Sequence, residues 1–461
     1  MRELVRRNLR WFILGTIAAL LLRLIFLIRF PAVVTDSFFY GDIAKNWLQH
    51  GIYGLTGPDE ISPTYTRLPG YPAFLALIFA IFGMEHYRTV LVVQICFDLG
   101  TCFFCADIAR RLFGPRVAKI AFLLAALCPF LANYSAAALT ETLEIFFTAA
   151  ALDCALAGLQ NPRIRAWAWC GLFCGVAILL RPDGAMVPFV IGGYLLWKFL
   201  VRGYSVPISR KYLAQSGLLL IVVSALPLLP WTVRNWRVFH EFQPLAPRYA
   251  NEPGEFVPTG FNRWVKTWMA EYTSVEEVYW QVPGAAINAQ QLPSRAFDNT
   301  QQREETVQVI SDYNDALHIS PELDGRFEAL ASERIRARPF RHYIELPALR
   351  ILDMWLRPRT EMLPSDPRWW EFNDEPKWSV LALALGLINL AYVLCALVGW
   401  LRWRNTNWLG LLVLFVVLRS LFLGSLENPE PRYTLEMYPM VIVLAAAALA
   451  RTYGVKAETK L

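Results

Sequence analysis

The 461-residue chain has little charge and little histidine: Asp, Glu, Lys and Arg together make up 18%, and none of the five histidines forms an HExxH-type pair. That spacing lets one helix turn two imidazoles onto a zinc ion, so its absence removes the zinc-hydrolase reading. The eight cysteines (Cys96, Cys102, Cys105, Cys128, Cys154, Cys170, Cys174, Cys395) all fall inside apolar runs. There they read as small buried hydrophobes, not as a disulfide frame or metal site. No internal repeat is visible, and no inverted repeat of the kind secondary transporters carry. The formal net charge of +6 comes from basic residues at the ends of apolar runs, so no nucleic-acid partner is expected.

What the chain does have is apolar length. It is 56% hydrophobic and 14% aromatic, with a mean hydropathy of +0.35. The expected fold class is an all-α polytopic membrane protein. The basic opening, 1–10, runs into the apolar stretch 11–30 without a clear small-residue cleavage site and reads as a retained signal anchor. With a cytoplasmic N-terminus, spans are predicted at 11–30, 89–109, 120–134, 143–159, 166–180, 186–200, 213–229, 379–400, 409–423 and 438–450, roughly ten in all. The apolar run 71–82 reaches only about 18 Å as a helix, against a hydrocarbon core of ~30 Å, and is expected to be interfacial or re-entrant. Leaving it uncounted puts every basic cluster inside: Arg110, Arg111, Arg116 and Lys119; Arg163 and Arg165; Lys198, Arg202, Arg210 and Lys211; Arg402 and Arg404; Arg451, Lys456 and Lys460. Arg23 and Arg29 are expected to snorkel outward, and Asp98 and Asp153 to face other helices within the membrane.

Three regions follow. Residues 1–230 form a membrane module with a long first outer loop at 31–88. Residues 231–377 form an extracytoplasmic region, expected to be Pro-rich and irregular except for an amphipathic stretch at 340–356 lying against the membrane. Its tryptophans read more readily as interfacial anchors than as sugar-stacking platforms. Residues 378–461 carry the last spans.

This topology gathers carboxylates and arginines on the outer side. The first loop offers Asp36, Asp42, Arg67 and Tyr71; the second, Glu141; the third, Arg181 and Asp183; the fourth, Arg234; the fifth, Glu427, Glu430, Arg432 and Tyr433. Behind Asp36, the fourfold spacings Phe39-Ile43-Trp47 and Tyr40-Ala44-Leu48 predict a short interfacial helix, and an N-cap role is the plainer account of Asp36. A carboxylate beside an acceptor hydroxyl can take its proton, and a guanidinium offers a planar fork to a phosphate. Loop salt pairing is the plainer account of the same residues, and a non-catalytic lipid or solute transporter is the rival class.

At these residues the chain resembles GT-C membrane glycosyltransferases that use polyprenyl-phosphate sugars, in the protein O-mannosyltransferase and aminoarabinose-transferase branch. The resemblance rests on Asp36, Tyr40, Ala44, Asn46 and Leu48; on Arg67-Leu68-Pro69-Gly70-Tyr71-Pro72; and on Leu139-Thr140-Glu141-Thr142. Leu180-Arg181-Pro182, Pro230-Trp231-Thr232-Val233-Arg234-Asn235 and Pro431-Arg432-Tyr433 extend it, while 251–376 matches nothing recognisable. The family often has a second acid after the first; here Ser37 stands there, which weakens any metal role in that loop. The resemblance implies a GT-C bundle at a cell (inner or plasma) membrane with its site on the extracytoplasmic face. It implies Asp36 and Glu141 as catalytic, and Arg67, Tyr71, Arg181, Arg234, Arg432 and Tyr433 as substrate-binding. The expected partners are a polyprenyl-phosphate-linked sugar donor and a lipid, glycan or protein acceptor. No cofactor is expected to be required, though a divalent cation stays open through an oligosaccharyltransferase-like, pyrophosphate-using alternative.

Overall fold

The computed structural model describes residues 1–201, 208–373 and 375–450, so Arg202, Arg451, Lys456 and Lys460 lie outside the described residues. The chain divides into two compact units. Unit 1 comprises Met1–Pro253, Leu390–Val416 and the chain from Leu435 on; unit 2 comprises Gly254–Asn389 and Val417–Thr434.

Unit 1 opens with α1 (Leu9–Arg29) and the short α2 (Thr35–His50), followed by a two-stranded hairpin, β1 (Gly54–Thr56) and β2 (Ile61–Pro63). Next come α3 (Gly70–Phe82), α4 (Tyr87–Phe113), α5 (Pro115–Ala126), α6 (Pro129–Ser135), α7 (Glu141–Gln160), α8 (Ile164–Leu180) and α9 (Met186–Leu200). After these come α10 (Arg210–Ala225) and α11 (Leu228–Phe239). In unit 2 lie α12 (Thr259–Lys266), α13 (Thr300–Ala316), α14 (Pro321–Ala337) and α15 (Leu346–Leu356). The last helices are α16 (Pro376–Trp403), α17 (Leu409–Gly424) and α18 (Tyr438–Leu449).

Every predicted span is helical, but the count of ten does not hold by length. Among the described residues, five helices are long and apolar enough to cross a bilayer, or seven if the bent pairs α5–α6 (51°) and α10–α11 (43°) each make one span. The remaining three, α8, α9 and α17, have 17, 15 and 16 residues. At 1.5 Å per residue none exceeds about 26 Å. The expectation for 71–82 holds: α3 has 13 residues and is too short to cross.

Arg23 is a correction. It does not snorkel but is fully buried, its Nε 2.6 Å from Asp98 Oδ2. Its other nitrogens donate to the carbonyls of Ala125 and Ala126. Those carbonyls end α5 just before the bend into α6; that of Ala125 also accepts from the Cys128 N–H at 3.3 Å, and the guanidinium adds its donors to both. Asp98 therefore faces another helix as expected, and so does Asp153, which pairs with Arg111 at 2.7 Å.

In unit 2 the expectation of an irregular region fails. Phe261, Trp264, Trp268, Tyr313 and Phe327 pack into one buried core. Two helices are capped by side chains: Asn299 accepts from the Gln302 backbone ahead of α13, and Ser320 from that of Leu323 ahead of α14. Trp264 and Trp268 are fully buried and serve neither as membrane anchors nor as sugar platforms. The amphipathic reading of 340–356 agrees with the structure: Tyr343, Ile344, Leu349, Leu352 and Leu356 are exposed, while Leu346, Arg350 and Met354 are buried.

Candidate active site

Asp36 lies in the first turn of α2, whose N-cap is Val34. The predicted N-cap role for Asp36 is thus incorrect. The capping is done by Ser37, whose Oγ accepts from the Val34 N–H at 3.0 Å and donates to the Ala138 carbonyl at 2.8 Å. Asp36 is left with its carboxylate turned to Arg67 Nη2 at 3.5 Å, and 36% of its side chain is accessible. The predicted apolar stripe divides: Ile43 and Ala44 are fully buried, and Phe39, Trp47 and Leu48 are exposed.

A second join fixes this loop to the one bearing Glu141. Ala32 forms a parallel bridge with Ala137, its N–H donating to Ala136 and its carbonyl accepting from Ala138, both at 2.9 Å. Tyr71, fully buried in α3, donates to Gln94 Oε1 at 2.7 Å, and Gln94 Nε2 donates to the Ala137 carbonyl at 2.6 Å. The segment before Glu141 is therefore held from two sides. Gly70 holds the third: a Cβ there would lie 2.5 Å from the Leu179 carbonyl, so only glycine lets the start of α3 touch the end of α8. Arg67 stands just before α3 and Arg181 just after α8, and the charges of both act on Tyr40.

Arg181 sits among three carboxylates: Glu141 at 3.4 Å, Glu144 at 3.3 Å and Asp183 at 3.1 Å. The Glu141 side chain is only 2% exposed. Tyr40 stands between this group and the Asp36–Arg67 pair. Burial pushes its hydroxyl up to about 12, with Arg67 opposing the shift, Asp36 adding to it, and the charges of Arg181 and Glu141 acting in the same two senses. The Tyr40 ring meets that of Tyr71 edge-on at 5.1 Å and the Arg67 guanidinium at 5.9 Å. Asp36, Arg67, Tyr71, Glu141 and Arg181 thus form one constellation.

The other expected residues have partners of their own. Arg234 donates to the backbone carbonyls of Thr64 at 2.7 Å and Tyr53 at 2.6 Å. Those bonds tie the chain on either side of the hairpin to α11. Asp42 accepts from the Thr56 N–H at 2.7 Å and hydroxyl at 2.8 Å, so it anchors β1. Arg432 and Tyr433 belong to unit 2, where both meet Glu430, the arginine at 2.5 Å and the tyrosine hydroxyl at 2.5 Å.

Two acids escaped the sequence reading. Glu144, Asp183 and Glu436 each bring a carboxylate oxygen within 4.8 Å of the others. Glu144 is one helical turn beyond Glu141, and that spacing was visible in Glu141-Thr142-Leu143-Glu144. Three carboxylates are a donor set that suits a hard divalent cation. Arg181, already 3.3 Å from Glu144 and 3.1 Å from Asp183, supplies positive charge at the same place.

A buried acid–arginine group and an accessible acid–arginine pair are thus carried on helices, and on the short segments between them, of a polytopic membrane protein. Residues 63–231 match the family model described as dolichyl-phosphate-mannose-protein mannosyltransferase. That segment contains Arg67, Tyr71, Glu141 and Arg181. The fold is similar to the oligosaccharyltransferase AglB of Archaeoglobus fulgidus, solved with an inhibitory peptide and a dolichol-phosphate (14% identity, 95% of this chain, 50% of that chain, TM-score 0.51). It is likewise similar to the same enzyme in the apo form (15% identity, 95% and 50%, TM-score 0.51). ArnT from Cupriavidus metallidurans also matches, at 16% identity over 96% of this chain and 78% of that chain, with a TM-score of 0.39. The chain spans about half the length of the archaeal structures it matches. No curated protein matches it.

Proposed function

We propose that the protein transfers a sugar from a polyprenyl-phosphate donor to an acceptor hydroxyl at the outer surface of the cell membrane, with inversion at the anomeric carbon. The observation that carries this reading is the Asp36–Arg67 pair, an accessible carboxylate 3.5 Å from an accessible guanidinium. Asp36 is the general base: it takes the proton as the acceptor oxygen bonds to C1 of the sugar. The bond from C1 to the phosphate oxygen breaks on the opposite face, and Arg67 stabilises the charge that gathers on the departing lipid phosphate. Tyr71 and Tyr40 wall the space between the two acid–arginine groups. Glu141, being buried, acts by holding Arg181 in place.

The dolichol-phosphate in the archaeal complex supports the donor class, since it occupies a protein of the same fold. The acceptor is a lipid, a glycan or a protein. No divalent cation is required in this reading, because Arg181 already lies beside Glu144 and Asp183, two of the three clustered acids; a pyrophosphate donor would call for one.

The test is sugar release by purified protein in lipid, followed by mass spectrometry over a panel of polyprenyl-phosphate sugars. Release by the wild type and not by Asp36→Asn supports donor class and base together. Equal release by both removes Asp36 from the chemistry. No release from any donor in the presence of candidate acceptors returns the transporter reading.

A further inference from the structure

The far ends of α7 and α8 carry a second site. Glu141 begins α7 and Arg181 follows α8, so the loop joining these helices, 161–163, lies at the opposite end, about 30 Å away along α7. There a cavity of about 670 Å³ is lined by Arg111, Asn161, Arg163, Ile164, Arg165 and Trp169, among others. Its volume is in the range of small-molecule sites.

The wall and the charge come from different arginines. Arg111 is committed to Asp153 at 2.7 Å and Asp107 at 2.9 Å, which fixes its guanidinium. Arg163 and Arg165 are exposed, and among the described residues neither has an ion-pair partner. Helix α8 starts at Ile164 without a side-chain cap; the Ala166 N–H donates to the Arg163 carbonyl at 3.0 Å, while Ile164 and Arg165, whose side chains line the cavity, stand in the same first turn. Ile164 and Trp169 are exposed apolar side chains at that helix end, Trp169 at 57%. An indole beside a cluster of arginines at the end of a membrane helix marks the depth of the headgroup layer.

We propose that this cavity binds the phosphate of an anionic phospholipid. Arg163 and Arg165 hold the phosphate oxygens through their planar forks, and the first turn of α8 adds its amide donors. Trp169 and Ile164 lie along the glycerol and upper acyl chain. The positive-inside rule explains why basic residues stand at this end, but not why a cavity of this size, mostly apolar in its walls and edged by arginines, opens between them and an indole. The net positive charge selects anionic over zwitterionic lipid.

The experiment uses the full chain in mild detergent, with native mass spectrometry counting bound lipid. Phosphatidylglycerol is titrated against phosphatidylcholine of the same acyl chains, with inorganic phosphate as a third arm. The expected result is retention of one phosphatidylglycerol at least about tenfold more tightly than phosphatidylcholine. The double variant Arg163→Gln/Arg165→Gln loses that preference, and Arg163→Lys/Arg165→Lys keeps part of it. Both positions are exposed, and unchanged melting and sugar release in both double variants exclude a folding defect. Equal retention of the two lipids, or a preference that survives the glutamine variant, overturns the proposal. Displacement of the lipid by millimolar inorganic phosphate assigns the cavity to a soluble anion and overturns the lipid assignment.

Discussion

The Asp36 carboxylate lies 3.5 Å from the Arg67 guanidinium and keeps 36% of its surface open, whereas the Glu141 side chain, 3.4 Å from Arg181, keeps 2%. The two acid–arginine pairs share one Tyr40 but not one environment. The first carboxylate is open to solvent, and the second is closed off against its arginine.

Asp36→Asn should therefore lower kcat by about 10²–10⁴ with little change in KM for the donor, the span expected when a general base is removed. Arg67→Lys keeps the charge and loses the fork, and should raise the donor KM as well as lower kcat. Steady-state turnover on a polyprenyl-phosphate sugar separates the two; an Asp36→Asn enzyme with a normal kcat would rule out the base assignment.

Chelation bears on the cluster of Glu144, Asp183 and Glu436. With Arg181 already beside two of these carboxylates, turnover should be unchanged by EDTA and unaffected by added magnesium or manganese. Loss of activity on chelation, restored by one metal, would move the reading to a cation-dependent transferase.

Ser37 is the hinge pin between the Asp36 and Glu141 loops. Ser37→Ala removes its bonds to Val34 and Ala138 and should cost about 1–2 kcal/mol of stability, with a fall in kcat because Asp36 loses its register. Ser37→Asp should be worse, since it buries a carboxylate against the Ala138 carbonyl, and it should not create metal dependence. Thermal melting and turnover of both variants, side by side, check this.

His342 in unit 2 gives a pH signature. Burial, with Lys266, Arg350, Arg263 and Arg341 adding repulsion, lowers its pKa to about 4. The unfolded chain takes up a proton there near pH 6.5 and the folded chain does not. Stability should therefore fall as pH drops below about 6.5 and level off near 4. His342→Gln should flatten that part of the profile in melting measurements at pH 4 to 7; an unchanged slope would place the proton uptake elsewhere.

Membrane helices were legible because apolar runs are long and punctuated by arginine, and the short 71–82 helix because length alone excludes it. The ends of α5 and α10 were harder, since a bend leaves composition unchanged. Arg23 was misread for a physical reason: snorkelling needs only one helix, but its pairing with Asp98 and with the carbonyls at the α5–α6 bend is tertiary. Order along the chain singled out Asp36, Arg67, Tyr71, Glu141 and Arg181, and the pairs Asp36–Arg67 and Glu141–Arg181 are in contact in the fold. The bonds of Arg234 to the carbonyls of Tyr53 and Thr64 were not legible, because its motif looks the same whatever its donors meet. The unit 2 core did leave a trace: Leu323, Phe327, Leu330, Ala331 and Arg334 recur at helical spacing and are all buried. Frequent charges between them masked it.

The pairing of Arg23 with Asp98 also sets an order on biogenesis. An arginine deep in an emerging helix disfavours insertion by about 2.5–3.5 kcal/mol near the helix centre. Its carboxylate partner is made 75 residues later. The first helix should linger at the translocon until the Asp98 helix arrives, so that the two leave for the lipid as a pair.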